Sequence, residues 1–192
     1  MNIVIFGPPG AGKGTQSNFI EKTFSMHQLS TGELLREEIK NSTPLGQKIS
    51  SIINSGNLVS DEIVGSLIEK YISDSNLRNK LIFDGYPRNL AQAKYLVDLL
   101  KKYDQKIGIV LKLSVSMDTI IKRILDRKNA EKRSDDNRDI AIKRFRTYES
   151  NIKPVIDFYK QSNLLREING EASITEINDE IRGLIDANKG WL

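Results

Sequence analysis

Apolar residues recur along this chain at two spacings. Ile3 to Phe6, Leu81 to Phe83, Ile107 to Leu113 and Leu164 to Ile168 are short runs rich in Ile, Val and Leu. Each reads as a strand, and Leu81 to Phe83 as a fully buried one. His27 to Ser30 reads as one more short strand, giving about five. Between them the apolar positions return every three or four residues, as on one face of a helix. Phe19, Ile20 and Phe24 mark a helix over 13–24. Ala93, Leu96, Val97 and Leu100 mark another, as do Met117, Ile120, Ile121, Ile124 and Leu125. A long helix from about Arg138 carries Ala141, Phe145, Tyr148 and Ile152, with a kink expected before Pro154. A last helix carries Ile174, Ile177, Ile181, Leu184 and Ile185.

Local punctuation sets the boundaries. Ser30-Thr31-Gly32-Glu33 and Ser173-x-x-Glu176 have capping-box spacing. Pro44 sits as an early helical residue before Leu45, Ile49, Ile52 and Ile53, and Asn54-Ser55-Gly56-Asn57 ends that pattern. Ser60, with Asp61 and Glu62 behind it, opens a helix whose Val64, Leu67, Ile68 and Tyr71 share a face, and Asn89 caps the one that follows. Lys128 to Asn137 is polar and aperiodic, and reads as a loop. Strands alternating with helices predict an α/β fold: a parallel sheet covered by helices on both faces, with ligands at the carboxyl ends of the strands.

The chemistry begins with the first strand. Gly7-Pro8-Pro9-Gly10-Ala11-Gly12-Lys13 matches the phosphate-loop spacing, placed between a strand and a helix as its mechanism requires. Its glycines let backbone N–H groups turn onto phosphate oxygens, and Lys13 adds a cation. Gly14 follows the lysine, so the expected hydroxyl comes one residue later, at Thr15. Asp84, at the end of the Leu81–Phe83 strand, stands where such folds place a carboxylate that organises Mg²⁺ through water, with Thr15 as a further metal-site candidate. Arg123 and Arg127, four apart, share a helix face.

Composition narrows the classes. At 192 residues and 39% hydrophobic content the chain supports one substantial core, and no Pro/Gly/Ser-rich linker divides it. It holds no cysteine, which excludes disulfides and a cysteine-ligated zinc site and fits a cytoplasmic setting. No apolar stretch approaches a membrane span. Net charge is only +4, with arginines concentrated between Arg123 and Arg146, a pattern suited to a polyanionic ligand. The one histidine, His27, is assigned no role.

Several motifs together make the chain resemble the adenylate kinases of the nucleoside monophosphate (NMP) kinase family, over essentially its whole length. Gly7 to Thr15 is similar to that family's loop, including the glycine after the lysine. Ser30-Thr31-Gly32-Glu33-Leu34-Leu35-Arg36, Phe83-Asp84-Gly85-Tyr86-Pro87-Arg88, and Arg133-Ser134-Asp135-Asp136-Asn137 with Arg144 resemble its remaining signatures. The resemblance implies a P-loop NTPase-type core (1–29, 60–126 and 133–192), a helical NMP-binding insert (30–59) and a short lid loop (127–132). It implies that ATP is held by Gly10, Ala11, Gly12, Lys13, Gly14 and Thr15, with Arg123, Arg127 and the backbone at Gly170 to Ala172. AMP would meet Thr31, Arg36, Asn57, Leu58, Val59, Gly85, Tyr86, Pro87, Arg88, Gln92, Arg133 and Arg144. The catalytic set would be Lys13, Arg36, Arg88, Arg123, Arg133 and Arg144, with Mg²⁺ accompanying ATP. Two departures stand out: Glu33 replaces the usual aspartate, and Ala130-Glu131-Lys132 replaces the Ser-Gly that commonly precedes the lid arginine.

The expected reaction is reversible transfer of the γ-phosphoryl group of ATP to AMP by a cytoplasmic monomer whose partners are small nucleotides, with neither nucleic acid nor membrane. A UMP/CMP kinase is the nearest rival, and Thr31 and Gln92 favour AMP because pyrimidine-specific relatives usually carry alanine and asparagine there. A guanine-nucleotide switch would need an Asn-Lys-x-Asp, and Asn79-Lys80-Leu81-Ile82 lacks the aspartate. A nucleic-acid module would show exposed aromatics among the arginines, whereas Phe145 and Tyr148 sit at core spacing.

Overall fold

The fold is that of a computed structural model, which describes residues 1–55, 57–131 and 138–188, with 127–131 as backbone alone. Five strands, β1 (Asn2–Phe6), β2 (His27–Ser30), β3 (Leu81–Asp84), β4 (Ile107–Ser114) and β5 (Leu165–Asn169), form one wholly parallel sheet in the order β2-β3-β1-β4-β5. Period-two alternation sorts the side chains of β1: Ile3 and Ile5 join the core on one face, Val4 and Phe6 that on the other. Every residue of β1 and β3 is buried, so the central strands read as continuous apolar runs.

Among the described residues, eight α-helices pack around the sheet: α1 (Lys13–Phe24), α2 (Thr31–Lys40), α3 (Pro44–Asn54), α4 (Asp61–Ile72), α5 (Leu90–Lys102), α6 (Met117–Glu131), α7 (Arg138–Gln161) and α8 (Ile174–Asn188). Ile20 of α1, Ile120 and Ile124 of α6 and Ile177, Ile181 and Ile185 of α8 cover the Ile3/Ile5 face. Ile68 of α4, Ala93 and Leu96 of α5 and Val155 and Tyr159 of α7 cover the other. The crossovers that follow β1 and its neighbour β3 thus leave for opposite faces, and the loops part to open a crevice at the strands' carboxyl ends. The opposite end is closed by a satisfied polar network. Asn2 Nδ2 donates to Gln105 Oε1 (3.1 Å), Asn2 Oδ1 accepts the Leu81 N–H (3.0 Å), and Gln105 Nε2 donates to the Ile72 carbonyl (2.8 Å).

The expected caps at Asn89 and Ser173 form, Pro44 sits in the first turn of α3 as expected, and Thr43 adds a cap the sequence had not marked. Thr43 Oγ1 accepts from Gly46 N, Asn89 Oδ1 from Gln92 N, and Glu176 Oε2 accepts from both the Ser173 N–H (2.9 Å) and its hydroxyl (2.7 Å). The box expected at Ser30 does not: Ser30 ends β2 in extended conformation, makes no side-chain cap bond, and lines the central cleft together with Glu33. The loop expected over Arg127 to Lys132 is corrected for Arg127 to Glu131, while Lys132 to Asn137 lie outside the described residues. Backbone helix continues through Glu131, because Lys, Ala, Glu and Arg sustain a helix and neither Gly nor Pro interrupts it. α7 runs unbroken across Pro154. Val97 and Leu125 face outward, since each follows a buried residue, Leu96 and Ile124, by about 100° of helix.

Candidate active site

At the carboxyl end of β1 the chain turns through Gly10 (φ +86°) and Gly12 (φ +94°), conformations an L side chain resists. Gly10 is also pressed against α6: a Cβ there would lie 3.0 Å from Ile124 Cγ1. A Cβ on Gly12 or Gly14 would meet nothing within 4 Å, which leaves the loop's inner edge open. Gly12 precedes α1 with no side-chain acceptor, so no side chain of the N-cap covers the positive end of the helix. Lys13 Nζ donates to the carbonyls of Gly7 (2.9 Å) and Pro8 (3.1 Å), which holds the ammonium over the loop.

A cleft of about 620 Å³ opens beside this loop. One wall is the loop itself, from Gly10 to Thr15. Arg123 from α6 bridges that wall to the turn after β5, its Nη1 reaching the Ala11 carbonyl (3.4 Å) and its Nη2 the Gly170 carbonyl (3.0 Å). Ala172 and the 60% exposed Ile174 continue this side. Glu171 turns away to hold the start of α6, accepting from the backbone N–H (3.0 Å) and hydroxyl (2.6 Å) of Ser116. Those bonds, with Thr119, hold its carboxyl at about 2, well below the ordinary carboxylate range, and Arg123 contributes a little.

The facing wall comes from α2, α3 and the turn after β3. Arg36, Asn57, Leu58, Val59, Asp84, Gly85, Pro87, Arg88 and Arg144 all line the cleft. Gly85 (φ +77°) lets Arg88 Nε fold back onto its carbonyl (2.6 Å), and Thr31 Oγ1 donates to the same oxygen (3.0 Å). Arg88 opens onto the cleft with protein around it, and its guanidinium sits below the ordinary arginine value. Loss of hydration is the main cause; Asp84 pulls the other way, while Arg144 and Arg36 add repulsion. Arg36, Arg88 and Arg144 thus present three guanidinium groups to one cleft, a set suited to recognising a phosphate. Asp84, 6% exposed, accepts one hydrogen bond from Gln28 Nε2 (3.1 Å).

Not every expected residue faces the cleft with its side chain. The Tyr86 ring is buried in the core, its hydroxyl has no hydrogen-bond partner among the described residues, and burial drives its pKa upward. Thr31 and Gln92 border a small neighbouring recess of about 20 Å³, with Leu58, Val59 and Val64. Gln92, 3% exposed, is engaged by its own protein: Oε1 accepts the Arg88 N–H (2.6 Å) and Nε2 donates to Asp61 Oδ1 (2.6 Å). Arg133 and the side chain of Arg127 lie outside the described residues. α7 supplies a back wall that the sequence reading missed. Thr147, Tyr148 and Ile152 line the cleft below Arg144, at the i+3, i+4 and i+8 positions that share its helix face, and that spacing was the available signal.

The model of the family "Adenylate kinase" matches residues 5–164. The chain belongs to the adenylate kinase family. Among similar proteins, the adenylate kinase of Pelagibacter ubique is 42% identical, with 96% of this chain and 99% of that protein covered. That of Xanthomonas campestris pv. campestris strain 8004 is 41% identical over 94% and 97%, and that of Leptospira biflexa 39% identical over 93% and 96%. Family membership carries NMP kinase-type phosphoryl transfer with it. In this adenylate kinase family member α7 also touches the far end of the α2–α3 segment: Lys143 Nζ donates to the Ser55 carbonyl (2.8 Å) and Arg144 Nη2 to that of Ile53 (3.5 Å). Both carbonyls belong to the end of α3, where helical C=O groups lack intrahelical partners and carry partial negative charge.

Proposed function

We propose that the protein transfers the γ-phosphoryl group of ATP to AMP, yielding two ADP. The observation that carries this reading is a single cleft with two unlike walls: a glycine loop at a helix N-terminus, facing Arg36, Arg88 and Arg144. The loop suits the β- and γ-phosphates of the donor, and Arg36, Arg88 and Arg144 suit the phosphate of the acceptor.

Little covalent assistance is needed. The acceptor phosphate has a second pKa of about 6, so at neutral pH its oxygen already carries the electron pair that attacks the γ-phosphorus as the bond to the β–γ bridging oxygen breaks. No side chain has to remove a proton, and His27, stacked on Tyr71 at 5.8 Å, is not required. The protein's work is alignment and charge: Lys13 moves from the carbonyls of Gly7 and Pro8 to the phosphates, and the arginines neutralise the transferring group. Arg133 and Arg127 are proposed as further phosphate ligands by resemblance alone.

Asp84 and Glu33 are the carboxylate-bearing residues among those lining the cleft. With one hydrogen bond accepted, Asp84 keeps lone pairs for water, and Thr15 is exposed at the first turn of α1. That donor set fits Mg²⁺ held chiefly by substrate phosphates and water, with Asp84 behind the water and Thr15 beside it. When bound, the ion would offset phosphate charge.

We take residues 30–59 as the segment that receives AMP and moves, and the region around 127–132 as the lid. A recess of 20 Å³ holds about one water, so a purine base enters only if the segment shifts. Among the described residues no helix is long and apolar enough to cross a membrane. Both walls come from one chain, so the proposed working unit is a monomer acting on free nucleotides in the cytoplasm. The test is ADP formation from MgATP with AMP, UMP, CMP or GMP, repeated on Lys13→Met and Arg88→Ala. Preferential turnover of AMP, with losses of about 10³ or more in both variants, is expected. No turnover of AMP would overturn the reading.

A further inference from the structure

The amide of Gln92 is fixed in one of its two orientations, and the group that fixes it lies on another helix. A carboxamide can flip by 180°, exchanging its acceptor and donors at almost no cost in shape. Here both ends are committed to partners of opposite kind. The Arg88 N–H, at 2.6 Å, can only donate, so it demands Oε1; the Asp61 carboxylate, at 2.6 Å, can only accept, so it demands Nε2. A flip would set N–H against N–H and oxygen against carboxylate.

Asp61, though solvent-exposed at the first position of α4, is held in place in turn. Asn89 Nδ2 donates to both its oxygens (3.2 and 3.1 Å), and Asn89 is fixed because its Oδ1 accepts the Gln92 N–H (2.8 Å). After these bonds Gln92 retains one lone pair on Oε1 and one N–H on Nε2, beside an apolar recess. With the amide locked, a base whose 6-position faces Oε1 and whose neighbouring ring nitrogen faces Nε2 is complemented when it offers an amino N–H next to a ring-nitrogen acceptor. In that same placement an edge that offers a carbonyl next to a ring N–H is opposed.

We propose that Asp61 is a specificity-determining positioning residue, which selects an amino base edge over a keto edge in the acceptor nucleotide by locking the flip of Gln92. The proposal rests on the reading that the recess beside Gln92 receives the acceptor base. AMP and IMP probe it cleanly, since they differ in their purine edge alone and carry the same phosphate.

Wild-type enzyme, Asp61→Ala and Asp61→Asn are each assayed with MgATP and either AMP or IMP. The ratio of kcat/KM values for AMP over IMP is the readout, and it is independent of how much of each preparation is folded. Asp61→Ala removes the acceptor and frees the flip, so the ratio falls at least tenfold. KM for AMP rises, KM for IMP falls, and KM for ATP holds. Asp61→Asn keeps one oxygen that can accept from Nε2 and retains the ratio within about threefold of wild type.

A ratio in Asp61→Ala within twofold of wild type overturns the proposal while leaving AMP as the substrate. An equal fall in both variants also overturns it, because it assigns the effect to charge rather than to the amide lock. Wild-type enzyme that turns over IMP as well as AMP removes the base reading itself.

Discussion

Gly46 lies on α3 where that helix crosses the end of α2, and no side chain fits there. A Cβ at residue 46 would sit 2.0 Å from the Glu38 carbonyl oxygen, 2.4 Å from its carbon and 2.7 Å from the Ile39 nitrogen. These are backbone atoms, and the Glu38 carbonyl is further tied to Thr43 through its N–H (3.1 Å) and hydroxyl (3.3 Å). Gly46→Ala must therefore separate the two helices by about an ångström or strain both. Overpacking of this kind costs about 1–3 kcal/mol, and contact with backbone points to the upper part of that range. α3 carries the Ile53 and Ser55 carbonyls on which Arg144 and Lys143 rest, so displacing it disturbs the acceptor wall and leaves the glycine loop intact. If the strain is expressed in the acceptor-bound state, KM for AMP rises about 5- to 150-fold while KM for ATP stays within twofold. If it is expressed globally, the melting temperature falls by about 2–4 °C per kcal/mol. Initial rates with each substrate varied in turn, alongside thermal denaturation, measure both. Unchanged KM for AMP together with an unchanged melting temperature would refute the packing described for α2 and α3.

Three further outcomes are expected. Lys143→Ala removes a charge-assisted bond at the exposed end of α3, worth about 0.3–1 kcal/mol; KM for AMP should rise about two- to fivefold with kcat undiminished, and a fall in kcat would count against a purely latching role. Arg123→Lys cannot span the carbonyls of Ala11 and Gly170 as a fork does; losing charge-assisted bonds of about 1.5–3 kcal/mol should raise KM for ATP about 10- to 150-fold and spare KM for AMP, which substrate titration would read. The carboxyl of Glu171, held at about 2 against an ordinary 4.5, stabilises the fold above pH 4.5 and loses that contribution as pH falls toward 2. Denaturation midpoints of Glu171→Gln and wild type should therefore differ above pH 5 and converge by pH 2; a gap that persists at pH 2 would rule out this linkage.

Much of this protein was legible before any fold was known, for local physical reasons. The runs at Ile3–Phe6 and Leu81–Phe83 marked strands, and the glycines before Lys13 marked the phosphate loop, because both patterns depend on neighbours in sequence. The Ser173 box formed where its spacing said it would, while the identical spacing at Ser30 did not. Ser30 belongs to β2 and faces a cleft that only the assembled chain creates. The helix through Glu131 was missed because its residues are polar but intrinsically good helix formers, and a polar stretch carries no apolar periodicity to read.

What the sequence determined is chemistry at short range: which residues turn, cap, alternate or donate. Tertiary structure decided which of them meet. Tyr86 neighbours Arg88 by two residues yet lies in the core, while Arg144 joins Arg88 in lining the cleft from α7, 56 residues further along the chain. Ser55 found Lys143 across 88 residues of chain. Gln92, a plausible base reader from its position alone, acquired a fixed orientation from Asp61, which is 31 residues away and carries no motif. Spacing along a helix or strand encodes shared faces, but the contact between two faces depends on where the crossovers place them. In a parallel sheet those crossovers are long, and the two walls of this cleft are decided by their packing.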